Sequence, residues 1–116
     1  MKINRFEEII AWQKAKELTV SIYQAMRNSK DYGFRDQIQR ASTSVMNNIA
    51  EGFERRTNKE MKQFLFIAKG SCGEVRSMLY LGQELRYFQS EGFDKLLNLS
   101  EETSRLLSGF IKSLSK

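Results

Sequence analysis

The stretch Gln37-Ile38-Gln39-Arg40-Ala41-Ser42-Thr43-Ser44-Val45-Met46-Asn47-Asn48-Ile49-Ala50-Glu51-Gly52 decides how this chain folds. It contains no proline and only its last residue is glycine, so nothing interrupts a helix. With Phe34 just upstream, Ile38, Ala41, Val45 and Ile49 recur every three or four residues and share one helical face. A second stripe, Gln37, Arg40, Ser44, Asn48 (or Asn47) and Glu51, runs beside the first. Solvated faces usually carry long charged side chains without pattern. Short hydrogen-bonding side chains between one Arg and one Glu instead predict a polar seam against a neighbouring helix. The plainer reading, a solvated face, stays open at this point.

Downstream, Glu54 to Asn58 reads as a turn, and Thr57 followed by Glu60 matches a capping box. A third helix is expected from there to about Gln89. Its core stripe is Met61, Phe64 or Leu65, Ala68, Cys72, Val75, Leu79 and Gly82. Antiparallel packing about a turn near Arg56 and Thr57 sets Ser44 level with Gly70 and Arg40 level with Glu74. A small residue opposite glycine lets two backbones approach, and a paired arginine tolerates burial that a lone one does not. The expectations are a Ser44–Gly70 contact, an Arg40–Glu74 ion pair, burial of most of Asn48 and Glu51, and overpacking in Gly70→Leu. The third helix also carries more apolar surface than one core needs. Phe64-Leu65-Phe66-Ile67-Ala68 is apolar throughout, and Tyr80 and Leu81 repeat Phe66 and Ile67 two heptads on. Such an excess suits an oligomer, with Trp12, Phe66, Ile67, Tyr80 and Leu81 at the subunit interface.

Upstream, Ala11, Ala15, Leu18, Ile22 and Ala25 or Met26 keep the spacing of a bundle seam and predict a first helix from about Phe6 to Asn28. Asn4 is its expected N-cap, with Glu7 and Glu8 where the helix dipole favours acid. Asn28 to Gly33 is a polar turn, after which the second helix is expected over about Phe34 to Phe53. Beyond Ser90-Glu91-Gly92, Phe93, Leu96, Leu97, Thr103, Leu107, Phe110, Ile111 and Leu114 continue a helical period and predict a fourth helix from about Phe93 to Leu114, with Ser90 or Ser100 available as caps. No segment alternates as a strand would. The prediction is one all-α domain over residues 1–116, an antiparallel up-down-up-down four-helix bundle.

The chain has 116 residues, no proline, one cysteine and no histidine. A lone Cys72 forms no internal disulfide, and its place on the apolar stripe makes it a small buried hydrophobe. Met1-Lys2-Ile3-Asn4-Arg5 leads into acidic and polar residues, and no apolar run is long enough to span a membrane. A cytoplasmic protein with no membrane partner is expected. Without histidine the usual general base and commonest metal ligand are missing. Glu51 and Glu74 lie several turns apart, too far for a catalytic carboxylate pair. Neither a catalytic residue nor a metal site or cofactor is expected, so the chain reads as non-enzymatic.

A net charge of +5 and a pI near 9.5 bias it toward anionic partners. Lys59, Lys62, Phe66, Lys69, Gly73, Arg76 and Tyr80 step by three and four along the third helix, and Arg55 and Arg56 continue the stripe across the preceding turn. Lysine and arginine so placed contact phosphates, and Phe66 or Tyr80 can stack on bases. The competing reading makes the cations a solvated face and packs Phe66 and Tyr80 at a subunit interface.

Gln37-x-x-Arg40-Ala41-x-x-Ser44-Val45-x-x-Asn48-Ile49-Ala50-Glu51-Gly52 closely resembles the signature of the four-helix-bundle proteins encoded within intervening sequences of bacterial 23S rRNA genes. Phe64-Leu65-x-Ile67-Ala68-x-Gly70-Ser71-x-x-Glu74 resembles the family's third helix, and Phe6, Trp12, Ala15, Leu18 and Tyr23 resemble its first. The short turn before Gly33 lacks the proline often seen there. The resemblance implies a ring-like homopentamer. It is similar also to the accessory variability protein of diversity-generating retroelements, which binds nucleic acid and a reverse transcriptase. Fold likeness alone does not transfer function. Two readings stand: an oligomer that binds RNA or DNA, alone or with a nucleic-acid enzyme, and a protein–protein interaction scaffold with no nucleic-acid role.

Overall fold

The computed structural model describes residues 2–115. A 3₁₀ turn at Phe6–Glu8 precedes four α-helices, α1 (Ile10–Ala25), α2 (Tyr32–Phe53), α3 (Asn58–Glu84) and α4 (Ser90–Ser113). Each helix packs on the next and α1 also packs on α4, whereas α1 and α3, and likewise α2 and α4, sit on the diagonals of the bundle. Neighbours run antiparallel. Gly52 at the end of α2 lies over Met61 and Phe64 at the start of α3, while Gln37, near the start of α2, reaches Glu74. Across α3 and α4, Lys62 meets Ser115 and Tyr80 meets Phe93. The bundle measures 43 × 22 × 19 Å.

The apolar stripes close the core as the periodicity predicts. At one end Ala11, Ala15, Val45, Ile49, Leu65, Ala68, Cys72 and Leu107 are buried together, and at the other Leu18, Ile22, Ile38, Val75, Leu79 and Leu96. Each such Leu or Ile contributes roughly 1.5–3 kcal/mol of transfer free energy. One buried hydroxyl bridges α1 and α2 between these clusters: Thr19 Oγ1 lies 2.8 Å from the Ala15 carbonyl of its own helix and 3.0 Å from the Ser42 carbonyl of α2.

The helix ends depart from the sequence expectation where local hydrogen bonds compete. Asn4 caps nothing with its side chain; its backbone N–H donates instead to Glu8 Oε1 at 3.1 Å. Ile9 is extended, with ψ at 120°, which breaks the first helix and swings Phe6 edge-on to Trp12 at 5.2 Å. Asp31 caps α2 by accepting from the Phe34 N–H, so this helix starts before Phe34. Thr57 and Glu60 form the predicted cap of α3, Thr57 Oγ1 accepting from Glu60 N at 3.1 Å. That helix stops at Glu84, short of Gln89. Arg86 takes the left-handed conformation, φ 63°, while Tyr87 N donates to the Gly82 carbonyl and Arg86 N to that of Gln83. This is the double-bonded αL ending that glycine usually supplies, here made by arginine. α4 then starts at Ser90, with no side-chain cap.

Candidate nucleic-acid interface

The basic stripe of α3 divides between two environments. Lys62, Lys69 and Arg76 are half-buried along the flank that faces α4, while Lys59, Phe66 and Gly73 stand exposed. Lys62 Nζ donates to Ser115 Oγ at 3.3 Å. Lys69 and Arg76 line an open groove of about 470 Å³ with Glu101, Ser104, Arg105 and Ser108 of α4. Arg56 is exposed, but Arg55 is drawn aside: its guanidinium lies 4.5 Å from the Phe64 ring centre and 3.7 Å from a Glu51 carboxylate oxygen. Tyr80 packs edge-on to Phe93 of its own chain at 5.8 Å, which leaves only part of its ring free for any stacking partner.

The sequence stripe missed the α4 wall of this groove. Its signal was present: Glu101, Ser104 or Arg105, and Ser108 recur every three or four residues beside the apolar stripe of Leu96, Thr103, Leu107 and Ile111. Mixed charges and serines at that spacing look like an ordinary solvated face until α3 is set against them. Beneath the groove, Cys72 is buried and its Sγ lies 3.1 Å from the Ser100 carbonyl. Burial pushes this thiol up to about 11, against the pull of the Arg76 guanidinium, so it stays protonated and inert.

On the opposite flank of α3 the polar seam is only partly built as expected. Ser44 Oγ meets Ser71 Oγ at 2.8 Å, and Asn48 Nδ2 donates to Ser44 Oγ at 3.0 Å and to its carbonyl at 2.8 Å. Ser71, not Gly70, is thus the partner of Ser44. A Cβ at Gly70 would meet nothing within 4 Å, so the expected close contact and the overpacking in Gly70→Leu do not hold within the chain. No Arg40–Glu74 ion pair forms among the described residues. Both side chains are exposed at the mouth of an open groove of about 530 Å³, and Glu74 accepts from Gln37 Nε2 at 3.3 Å instead. Water solvates each charge, which removes the need for pairing. Glu51 is likewise exposed rather than buried, and Asn48 is half-buried. The register was right and the rotation was off.

The surplus apolar residues remain uncovered on α3: Phe66 is 58% exposed, Ile67 52%, Tyr80 50% and Leu81 50%. Trp12 differs, being half-buried against Phe6 with the Lys16 ammonium 5.6 Å from its ring centre. No helix among the described residues is long and apolar enough to cross a membrane, and no group of acidic or cysteine side chains could hold a metal ion.

The chain is similar to a protein of unknown function from the S23 ribosomal protein family of Bacteroides thetaiotaomicron. They share 27% identity over 88% of this chain and 98% of that one, with a TM-score of 0.82. No curated protein matches. The pattern that defines the 23S rRNA-intervening sequence proteins matches residues 7–109, which takes in all but the two ends of the bundle. This chain belongs to the 23S rRNA-intervening sequence protein family.

Proposed function

We propose that this bundle is a non-enzymatic protein that assembles into a ring of like subunits and binds nucleic acid along the basic flank of α3. The observation that carries the second half is the alignment of Lys62, Lys69 and Arg76 along one flank of α3, the last two lining the groove against α4, with Lys59 and Arg56 exposed beyond them. Cations two helical turns apart on one rigid element suit a repeating phosphate backbone, and they need no base contacts. Self-association is supported by uncovered apolar residues on two diagonal helices. α3 presents Phe66, Ile67, Tyr80 and Leu81; α1 presents Val20 and Tyr23, with Trp12 at the edge. Two different faces on opposite sides of a bundle make a head-to-tail contact, which closes into a ring when the rotation allows. The family resemblance implies five subunits. An interaction scaffold remains the second reading, favoured by the same apolar face.

A mobility-shift series over salt concentration tests the second half, on protein freed of co-purified nucleic acid. Changing Lys62 and Lys69 to Gln should flatten the salt slope by roughly 0.7 per lost contact on single strands, with assembled mass unchanged. An unaltered affinity and slope would reject the flank as the binding surface. Absence of any binding at low salt would leave the scaffold reading.

A further inference from the structure

The groove between α3 and α4 is more than a row of lysines. Lys69 and Arg76 come from one helix and Arg105 from the other, and Ser104 and Ser108 add two hydroxyl donors. Glu101 is the single opposing charge, so the groove stays positive. None of the ion pairs among the described residues involves any of these charged groups. The Arg76 Nε is buried and has no hydrogen-bond partner. A buried N–H without an acceptor is costly, and the fold keeps this one beside two further cations. A guanidinium fork flanked by a second cation and hydroxyls matches the tetrahedral oxygens of phosphate, through charge-assisted bonds of the strongest kind.

We infer that Lys69, Arg76, Ser104, Arg105 and Ser108 form a built seat for one phosphate group between α3 and α4. The inference rests on the nucleic-acid reading only for the source of that phosphate, a backbone phosphodiester; free inorganic phosphate would engage the same donors. The groove has room for a phosphodiester segment with its sugar.

The test uses the full chain in two arms. In the first, thermal unfolding is followed with inorganic phosphate and with chloride at matched ionic strength. Phosphate should raise the midpoint, since a ligand that binds only the folded state stabilises it. Arg105→Gln should abolish that rise, and Ser104→Ala with Ser108→Ala should diminish it although net charge is unchanged. Both sites lie on the surface of α4, and circular dichroism checks that the variants fold. In the second arm, a labelled single-stranded oligonucleotide is titrated over a salt series, where Arg105→Gln should make the slope shallower by roughly 0.7. If phosphate stabilises the parent but no oligonucleotide binds, the seat stands and the nucleic-acid reading falls. A parent and an Arg105→Gln variant that respond identically to phosphate would overturn the seat, whatever the oligonucleotide does. So would a serine pair variant indistinguishable from the parent, because the effect would then be diffuse charge.

Discussion

The two ends of α3 and its middle treat glycine in opposite ways. Near one end, a Cβ on Gly52 of α2 would sit 2.8 Å from Phe64 Cβ and 3.2 Å from the Met61 carbonyl oxygen. At the other, a Cβ on Gly82 would overlap the Phe88 ring and sit 2.9 Å from that of Phe34. In the middle, Gly70 and Gly73 face open space. A glycine inside a helix costs roughly 1 kcal/mol relative to alanine. At the ends, close packing within the chain offsets that cost. In the middle nothing in the chain does, and the two glycines lie between the exposed pairs Phe66/Ile67 and Tyr80/Leu81. The chain's own core therefore accounts for the ends of α3, while its middle favours the proposed contact with another subunit.

The largest effect is expected at Gly52. Its Cβ contacts are a backbone carbonyl and a Cβ fixed to the backbone, so Gly52→Ala must push α2 and α3 apart, at about 1–3 kcal/mol. Gly82→Ala should cost less, because it meets ring edges that can turn. Urea denaturation midpoints rank the two; an unshifted midpoint in Gly52→Ala would break the comparison at its firmest point. Gly70→Leu is the matching probe of the middle. Within one chain it has room, so helicity and core packing should persist while the assembled mass by light scattering falls. A full-sized assembly in Gly70→Leu would take α3's middle out of the interface.

Much of this was readable in advance, for physical reasons that differ by element. The core stripes were legible because burial follows helical period directly, and Leu65, Ala68, Cys72, Val75 and Leu79 are all buried as expected. The cap at Thr57 was legible because it depends on residues three apart. The seam was half legible: loop geometry set how far along the helices residues meet, placing Ser44 at the level of Gly70 and Ser71, but not which of those two turns inward, nor that Glu74 bonds Gln37 rather than Arg40. The end of α3 was hidden because arginine holds a conformation whose usual mark is glycine. The α4 wall of the basic groove was hidden because it exists only once two helices are paired.

A smaller effect belongs to the cap that starts α3. Thr57→Ala leaves the Glu60 N–H without its side-chain acceptor and should cost on the order of 1 kcal/mol. It should do so without change in assembled mass, since it touches an end of α3 and not its middle. A variant that both destabilised and dissociated would show that ends and middle are coupled, and would blur the distinction drawn above.

The smallest effect is expected at the far end of α3, where Tyr87 Oη donates to Asp31 Oδ2 at 2.6 Å and the Tyr87 ring packs edge-on to Phe34 at 5.1 Å. The hydroxyl, then the Phe34 N–H, hold the Asp31 carboxyl below its ordinary range, and the carboxylate in turn holds the Tyr87 phenol above its own. A depressed carboxyl stabilises the fold above its unfolded value, about 3.9, and loses that contribution as pH falls through the lower folded value. A raised phenol stabilises below its unfolded value, about 10, and loses that contribution as pH rises through the higher folded value. The bond thus belongs to the window between, and both partners are exposed, so its contribution is small. Tyr87→Phe keeps the ring on Phe34 and removes only the hydroxyl. Its melting temperature should fall slightly below the parent's across the neutral range and converge with it at both extremes. On the acid side some pH dependence should survive, because the Phe34 N–H still binds Asp31. Curves for parent and variant that ran parallel from acid to alkali would show that this end of α3 is held by ring packing alone.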